Sequence, residues 1–127
     1  MDERRFAIRF SPRLRWLFVL VGLGPRHTLV ELRGEALVVR MGWAFGAVVP
    51  VRDIARASRE RDVWWAIGVH TNFSGNWLVN GSATGIVNLV LREPVRGRSA
   101  GVAVTIRTLG LGLEDPEGFL ASVGARV

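Results

Sequence analysis

The chain has 127 residues, 49% of them hydrophobic, and a formal net charge of +6. That length fits a single domain with a buried core, and that apolar share excludes a chain disordered over its bulk. Cysteine is absent, which excludes a disulfide scaffold, a thiolate metal site and a cysteine nucleophile.

Every basic residue is an arginine, a usage read mainly as compositional bias. Residues 1–61 carry twelve arginines against six acids and residues 62–127 carry five against five, so the whole excess lies in the first half. A one-sided basic excess points to an anionic partner, a membrane surface or nucleic acid, with a solvated basic face as the plainer account. The longest apolar run, residues 16–24, falls well short of the roughly 20 residues that span a bilayer. The opening Met-Asp-Glu-Arg-Arg lacks the pattern of a secretory leader. The expectation is a soluble, cytoplasmic protein, membrane-associated at most peripherally.

Along the chain, residues 1–5 read as a flexible tail. Phe6, Ile8 and Phe10 alternate as a strand. Ser11-Pro12 then starts a short helix over 12–22, with Leu14, Leu17, Phe18 and Val21 on one side; its β-branched content leaves a strand open. Residues 28–33 and 36–43 form a hairpin about Gly34-Glu35, with Leu37, Val39, Met41 and Trp43 on one face. A strand over 46–51 follows, with Pro50 at an edge or end, then another over 54–61. Strands are predicted over 64–70, 77–80 and 86–91, with loops over 71–76 and 93–101 and a turn at Gly81-Ser82. The alternation in 102–106 is out of phase with that in 109–113, which predicts a bulge or turn near Arg107-Thr108. Asp115 is a helix N-cap, Pro116 the first helical residue, and Phe119, Leu120 and Val123 the docking face; Gly124 ends the helix.

The strand series ending in Asp-Pro-Glu-Gly-Phe-Leu, with Gly42-Trp43, Val-Pro-Val-Arg-Asp-Ile at 49–54, Trp-Trp-Ala-Ile-Gly at 64–68 and the run at 85–95, resembles bacterial pleckstrin-homology-like domains, in particular small actinobacterial proteins. The resemblance spans residues 6–123. It implies a mainly β fold: a PH-like, partly open β-barrel of two antiparallel sheets closed by a short C-terminal α-helix, forming one domain over 1–127. Eukaryotic members often bind phosphoinositides through a basic motif between the first two strands that usually includes Lys. The corresponding turn here, Gly34-Glu35 beside Arg33, has no Lys.

No arrangement points to catalysis. His27 and His70 lack a nucleophile or ligand set, and Glu114, Asp115 and Glu117 are explained by helix capping. No enzyme activity, cofactor or metal is expected. Two groups of residues are candidates for binding. Arg4, Arg5, Arg9, Arg13 and Arg15 precede Trp16, Leu17 and Phe18, the composition of a segment that meets anionic lipid. The favoured plainer account packs Trp16 and Phe18 on the barrel and leaves the arginines in water. Trp64, His70, Asn72, Trp77 and Asn80 could line a small pocket, although a packed barrel wall is the simpler explanation. Arg52, Arg56, Arg59 and Arg61 split between two strand faces, which disfavours nucleic acid. The expected function is a non-enzymatic module that binds a protein or an anionic membrane, with a lipid or small-ligand carrier as the alternative; pairing of strand edges would give a homo-oligomer.

Overall fold

The computed structural model describes residues 3–12, 15–59, 68–71, 75–80 and 84–126. Among the described residues, nine strands form one continuous sheet: β1 (Glu3–Arg5), β2 (Thr28–Arg33), β3 (Ala36–Met41), β4 (Phe45–Pro50), β5 (Ile54–Arg59), β6 (Gly68–Thr71), β7 (Asn76–Asn80), β8 (Ile86–Ser99) and β9 (Val102–Gly112). Helix α1 covers Arg15–Leu20 and α2 covers Pro116–Arg126. The order is β1-β2-β3-β4-β8-β9-β7-β6, with β5 paired to β8 off this path. The protein is thus mainly β, a curled half-barrel with a short C-terminal helix. Hydrogen bonding does not divide the strands into two antiparallel sheets, and β7 runs parallel to β9.

The N-terminal segment joins both sides of the curl. Glu3–Arg5, expected within a tail, pairs with β2. The Phe6 amide still donates to Val30 of β2 at 2.7 Å, whereas the Arg9 amide donates to Gly112 of β9 at 3.0 Å and Ile8 bridges Leu113. The alternation of residues 6–10 holds in burial: Phe6 and Ile8 are buried and Phe10 half-buried. The segment is no continuous strand because it changes partner midway.

The hairpin forms as its sequence predicts, with Arg33 opposite Ala36 and a two-residue turn in which Gly34 has φ of +61°. Leu37, Val39 and Met41 point inward, but the strand stops at Met41 and Trp43 lies on an exposed turn. Bulging at Arg107-Thr108 also follows the sequence: both amides donate to the Gly75 carbonyl, at 2.6 and 3.1 Å, and burial switches phase from Ile106 to Leu109. Of the predicted loop at 93–101, residues 93–99 are instead the second half of β8, which pairs with β9 up to Ser99 opposite Val102, and only Ala100 and Gly101 form a turn. Four residues of β8, 91–94, stand opposite Arg107, so Pro94 sits in a local irregularity and withholds no ladder bond.

Asp115 caps α2 through its carboxylate, which accepts from the Gly118 amide at 3.0 Å. Asp115→Ala should lower unfolding stability by about 1 kcal/mol in urea denaturation. Gly124 does not end this helix, which continues to Arg126. Phe119 and Val123 dock on the interior and Leu120 packs beside them half-buried. The interior is filled by Leu32, Leu37, Phe45, Leu109, Leu111, Leu113 and Phe119, all fully buried.

On the outer face of β2, Glu31 is buried beneath two arginines. Arg5 Nε lies 2.6 Å from one carboxylate oxygen and Arg33 2.6 Å from the other. Hydrogen bonds from Arg5 and then Arg33 hold its carboxyl below the ordinary 4.5. A carboxylate depressed in the folded state stabilises the fold above its unfolded pKa and loses that contribution as pH falls through the folded one. The melting midpoint should therefore drop as pH falls below about 4, and Glu31→Gln should lower it at neutral pH while flattening that dependence.

Candidate functional site

Helix α1 presents its apolar residues to solvent. Trp16 is 65% exposed and Leu20 73%, with Leu17 and Val19 also exposed. Only Phe18 is buried, lying about 200° around the axis from Trp16. Its ring meets Phe10 edge-on, with centroids 5.3 Å apart. Helices this short are marginal alone, so α1 depends on that contact and on the Leu23 amide, which donates to the Phe18 carbonyl at 2.8 Å. A helix that buries one side chain and exposes four large apolar ones reverses the usual amphipathic pattern of a globular surface.

The turn between β3 and β4 extends this surface. Trp43 is 62% exposed, and its indole Nε1 donates to the Val21 carbonyl at 2.7 Å. The ring rests beside Gly22, where an added Cβ would lie 3.5 Å from Trp43 Cδ1. Gly42 has φ of +51°, and a Cβ there would collide with the Gly22 carbonyl. This close approach is what sets Trp43 against the end of α1. Gly42→Ala should cost about 1–3 kcal/mol in urea unfolding and release the indole, read as a shift in tryptophan emission.

Arginines flank the apolar patch. No acidic residue occurs between Glu3 and Glu31, an interval with six arginines. Exposed Arg15 begins α1, and Arg26, His27 and Arg40 line an open cleft of about 430 Å³ with Trp43, Gly22, Thr28, Leu29 and Gly42.

Three other arginines of the candidate basic segment, Arg4, Arg5 and Arg9, have internal partners. Arg4 Nη1 donates to Ser122 Oγ of α2 at 2.6 Å and lies over the Phe6 ring at 5.0 Å. Arg5 pairs with Glu31, and Arg9 donates to Thr84 Oγ1 at 2.9 Å and to the Glu114 carbonyl at 3.1 Å. These three fasten the N-terminal segment to the barrel. Arg13 lies outside the described residues. The plainer account of this segment thus holds for Phe18 and not for Trp16.

The candidate pocket is not brought together among the described residues. Trp64 and Asn72 lie outside them, and His70 sits on β6 opposite Leu78. Trp77 packs near Phe45, ring centroids 5.5 Å apart, and its indole donates to the Thr105 carbonyl at 3.0 Å. Asn80 is fully buried, three positions along β7 and so on the opposite face from Trp77. Of the split arginine stripe, Arg59 pairs with Glu117 at 2.7 Å, Arg52 and Arg56 are exposed, and Arg61 is outside the described residues.

Trp43, Leu20, Arg26 and Arg40 escape sequence reasoning. Trp43 continues the apolar alternation of β3, and only Gly42, the one glycine in that run, signals that the strand ends before it. Among the described residues, no helix is long and apolar enough to cross a membrane. No family model matches this chain, nor does any curated protein or solved structure.

Proposed function

We propose that this protein is a non-enzymatic interaction module that seats the α1–Trp43 surface on an anionic membrane. The observation that carries the reading is the exposed apolar patch of Trp16, Leu17, Leu20, Val21 and Trp43, bordered by Arg15, Arg26 and Arg40. Tryptophan and leucine enter the boundary between headgroups and acyl chains, while nearby guanidinium groups meet lipid phosphates. The absence of acids from residues 4–30 favours a negatively charged partner over a mixed-charge protein surface. The filled interior gives the carrier reading no comparable support. Kinship with pleckstrin-homology-like domains is part of the proposal; the curled half-barrel and terminal helix support it, and the parallel β7–β9 pair departs from it.

Co-sedimentation with vesicles tests the reading. Binding to phosphatidylglycerol-containing vesicles, weak binding to phosphatidylcholine alone, and a decline with added salt are expected. Equal failure with both vesicle types at low salt would overturn it.

A further inference from the structure

We infer that the cleft between Arg26, His27 and Arg40 is a phosphate-binding site, deepening the membrane reading and resting on it for the source of the ligand. The cleft lies at the Thr28/Met41 end of the β2–β3 hairpin, opposite the Gly34-Glu35 turn. Two arginines and a histidine line it, and no carboxylate does. Guanidinium groups present planar paired donors that suit phosphate oxygens. Thr28 adds a hydroxyl to the lining.

The strands supporting the cleft leave an open approach. Arg40 stands opposite Gly46 on β4, and Gly46 stands opposite Arg98 on β8, so the three share one outer face in a row. A Cβ on Gly46 would meet nothing within 4 Å. A further arginine therefore follows across a gap that no side chain fills. Glu31, further along β2, is neutralised by Arg5 and Arg33 and does not offset this charge.

The position fixes the ligand's setting. Trp43 belongs both to the cleft and to the apolar patch, and its indole is bonded to the Val21 carbonyl of that patch. A lipid whose acyl chains lie under Trp16 and Leu20 would bring its headgroup to Arg26 and Arg40. A phosphomonoester offers more charge and more free oxygens than a phosphodiester, so the site should prefer it beyond the attraction common to all anionic surfaces. The shared chemistry is a terminal phosphate, carried either by a lipid headgroup or by a small soluble phosphate ester.

Two arms separate these sources. In the first, vesicles of matched surface charge contain either phosphatidic acid or phosphatidylserine. Tighter binding to phosphatidic acid is expected, with Arg40→Gln removing that preference and weakening binding to it by about 10-fold or more. In the second, calorimetry with glycerol 3-phosphate in the absence of vesicles should give saturable binding that Arg40→Gln abolishes and Arg56→Gln, a surface arginine away from the cleft, leaves intact. Saturable, Arg40-dependent binding in the second arm supports the site even if vesicles fail to bind. Equal binding to both vesicle types, together with no calorimetric signal, overturns the phosphate site and leaves the membrane reading standing. Loss of binding in both arms overturns both. A circular-dichroism melt of each variant identifies misfolding, in which case Arg26→Gln is read by the same two arms.

Discussion

Replacing Phe119 with alanine is expected to lower unfolding stability by about 3–5 kcal/mol in urea denaturation, at the upper end of what truncating one core side chain costs. The ring is fully buried. It meets Phe6 edge-on, with centroids 5.2 Å apart and planes at 88°. The two aromatics hold together α2 and the N-terminal segment, the pieces that close the curl. That arrangement also carries Arg4, which lies over Phe6 and donates to Ser122 of α2. Removing Phe119 leaves a cavity whose walls are fixed by β-strands, so little of it can collapse. Small domains are stable by only about 5–15 kcal/mol, so the variant should melt at much lower temperature. A change below about 1 kcal/mol would mean that α2 contributes little to the core.

Substituting Trp16 and Leu20 with serine together is expected to reduce binding to anionic vesicles by about 100-fold without lowering stability. Each side chain contributes about 1.5 kcal/mol when it leaves water, and the two contributions add because neither touches the core. Both are already exposed in the free protein, so the folded state loses no packing when they are replaced. Phe18 gives the opposite result. Phe18→Ser removes the side chain that fixes α1 against Phe10, and it should disorder the helix, read as loss of helical circular dichroism. Vesicle binding and the urea midpoint, measured together, distinguish the two roles.

Residues with one local job were legible in the sequence. Gly34-Glu35 between two alternating runs specified the hairpin, and Asp115-Pro116 specified the start of α2. The phase change between Ile106 and Leu109 required the bulge that the two amides on Gly75 create. Residues 93–101 misled because both faces of that ribbon are largely wet, so pairing with β9 leaves no apolar alternation to read. Parallel pairing of β7 with β9 was invisible for a related reason: it depends on a chain crossing, not on a local pattern.

The candidate site was half legible. Arg15 and Trp16, adjacent in sequence, are both exposed, but Arg4, Arg5 and Arg9 meet partners far along the chain: Ser122, Glu31 and Thr84. No sequence pattern encodes those long-range pairings. The alternation puts Trp43 on one strand face with Leu37, Val39 and Met41, but a positive φ at Gly42 ends the strand and turns Trp43 outward. The resulting patch combines residues from two separate segments, which only the fold brings together.

The absence of cysteine permits a direct test of where this patch goes. Leu20→Cys carries a single environment-sensitive fluorophore on the exposed face of α1, and Ala121→Cys carries the same label on the exposed side of α2. With phosphatidylglycerol-containing vesicles, the label at position 20 should shift its emission to the blue and be quenched by a lipid-borne quencher, while the label at position 121 stays in water. Emission at position 20 that is unchanged on vesicles to which the labelled protein binds would contradict the account, because another face would then be meeting the membrane.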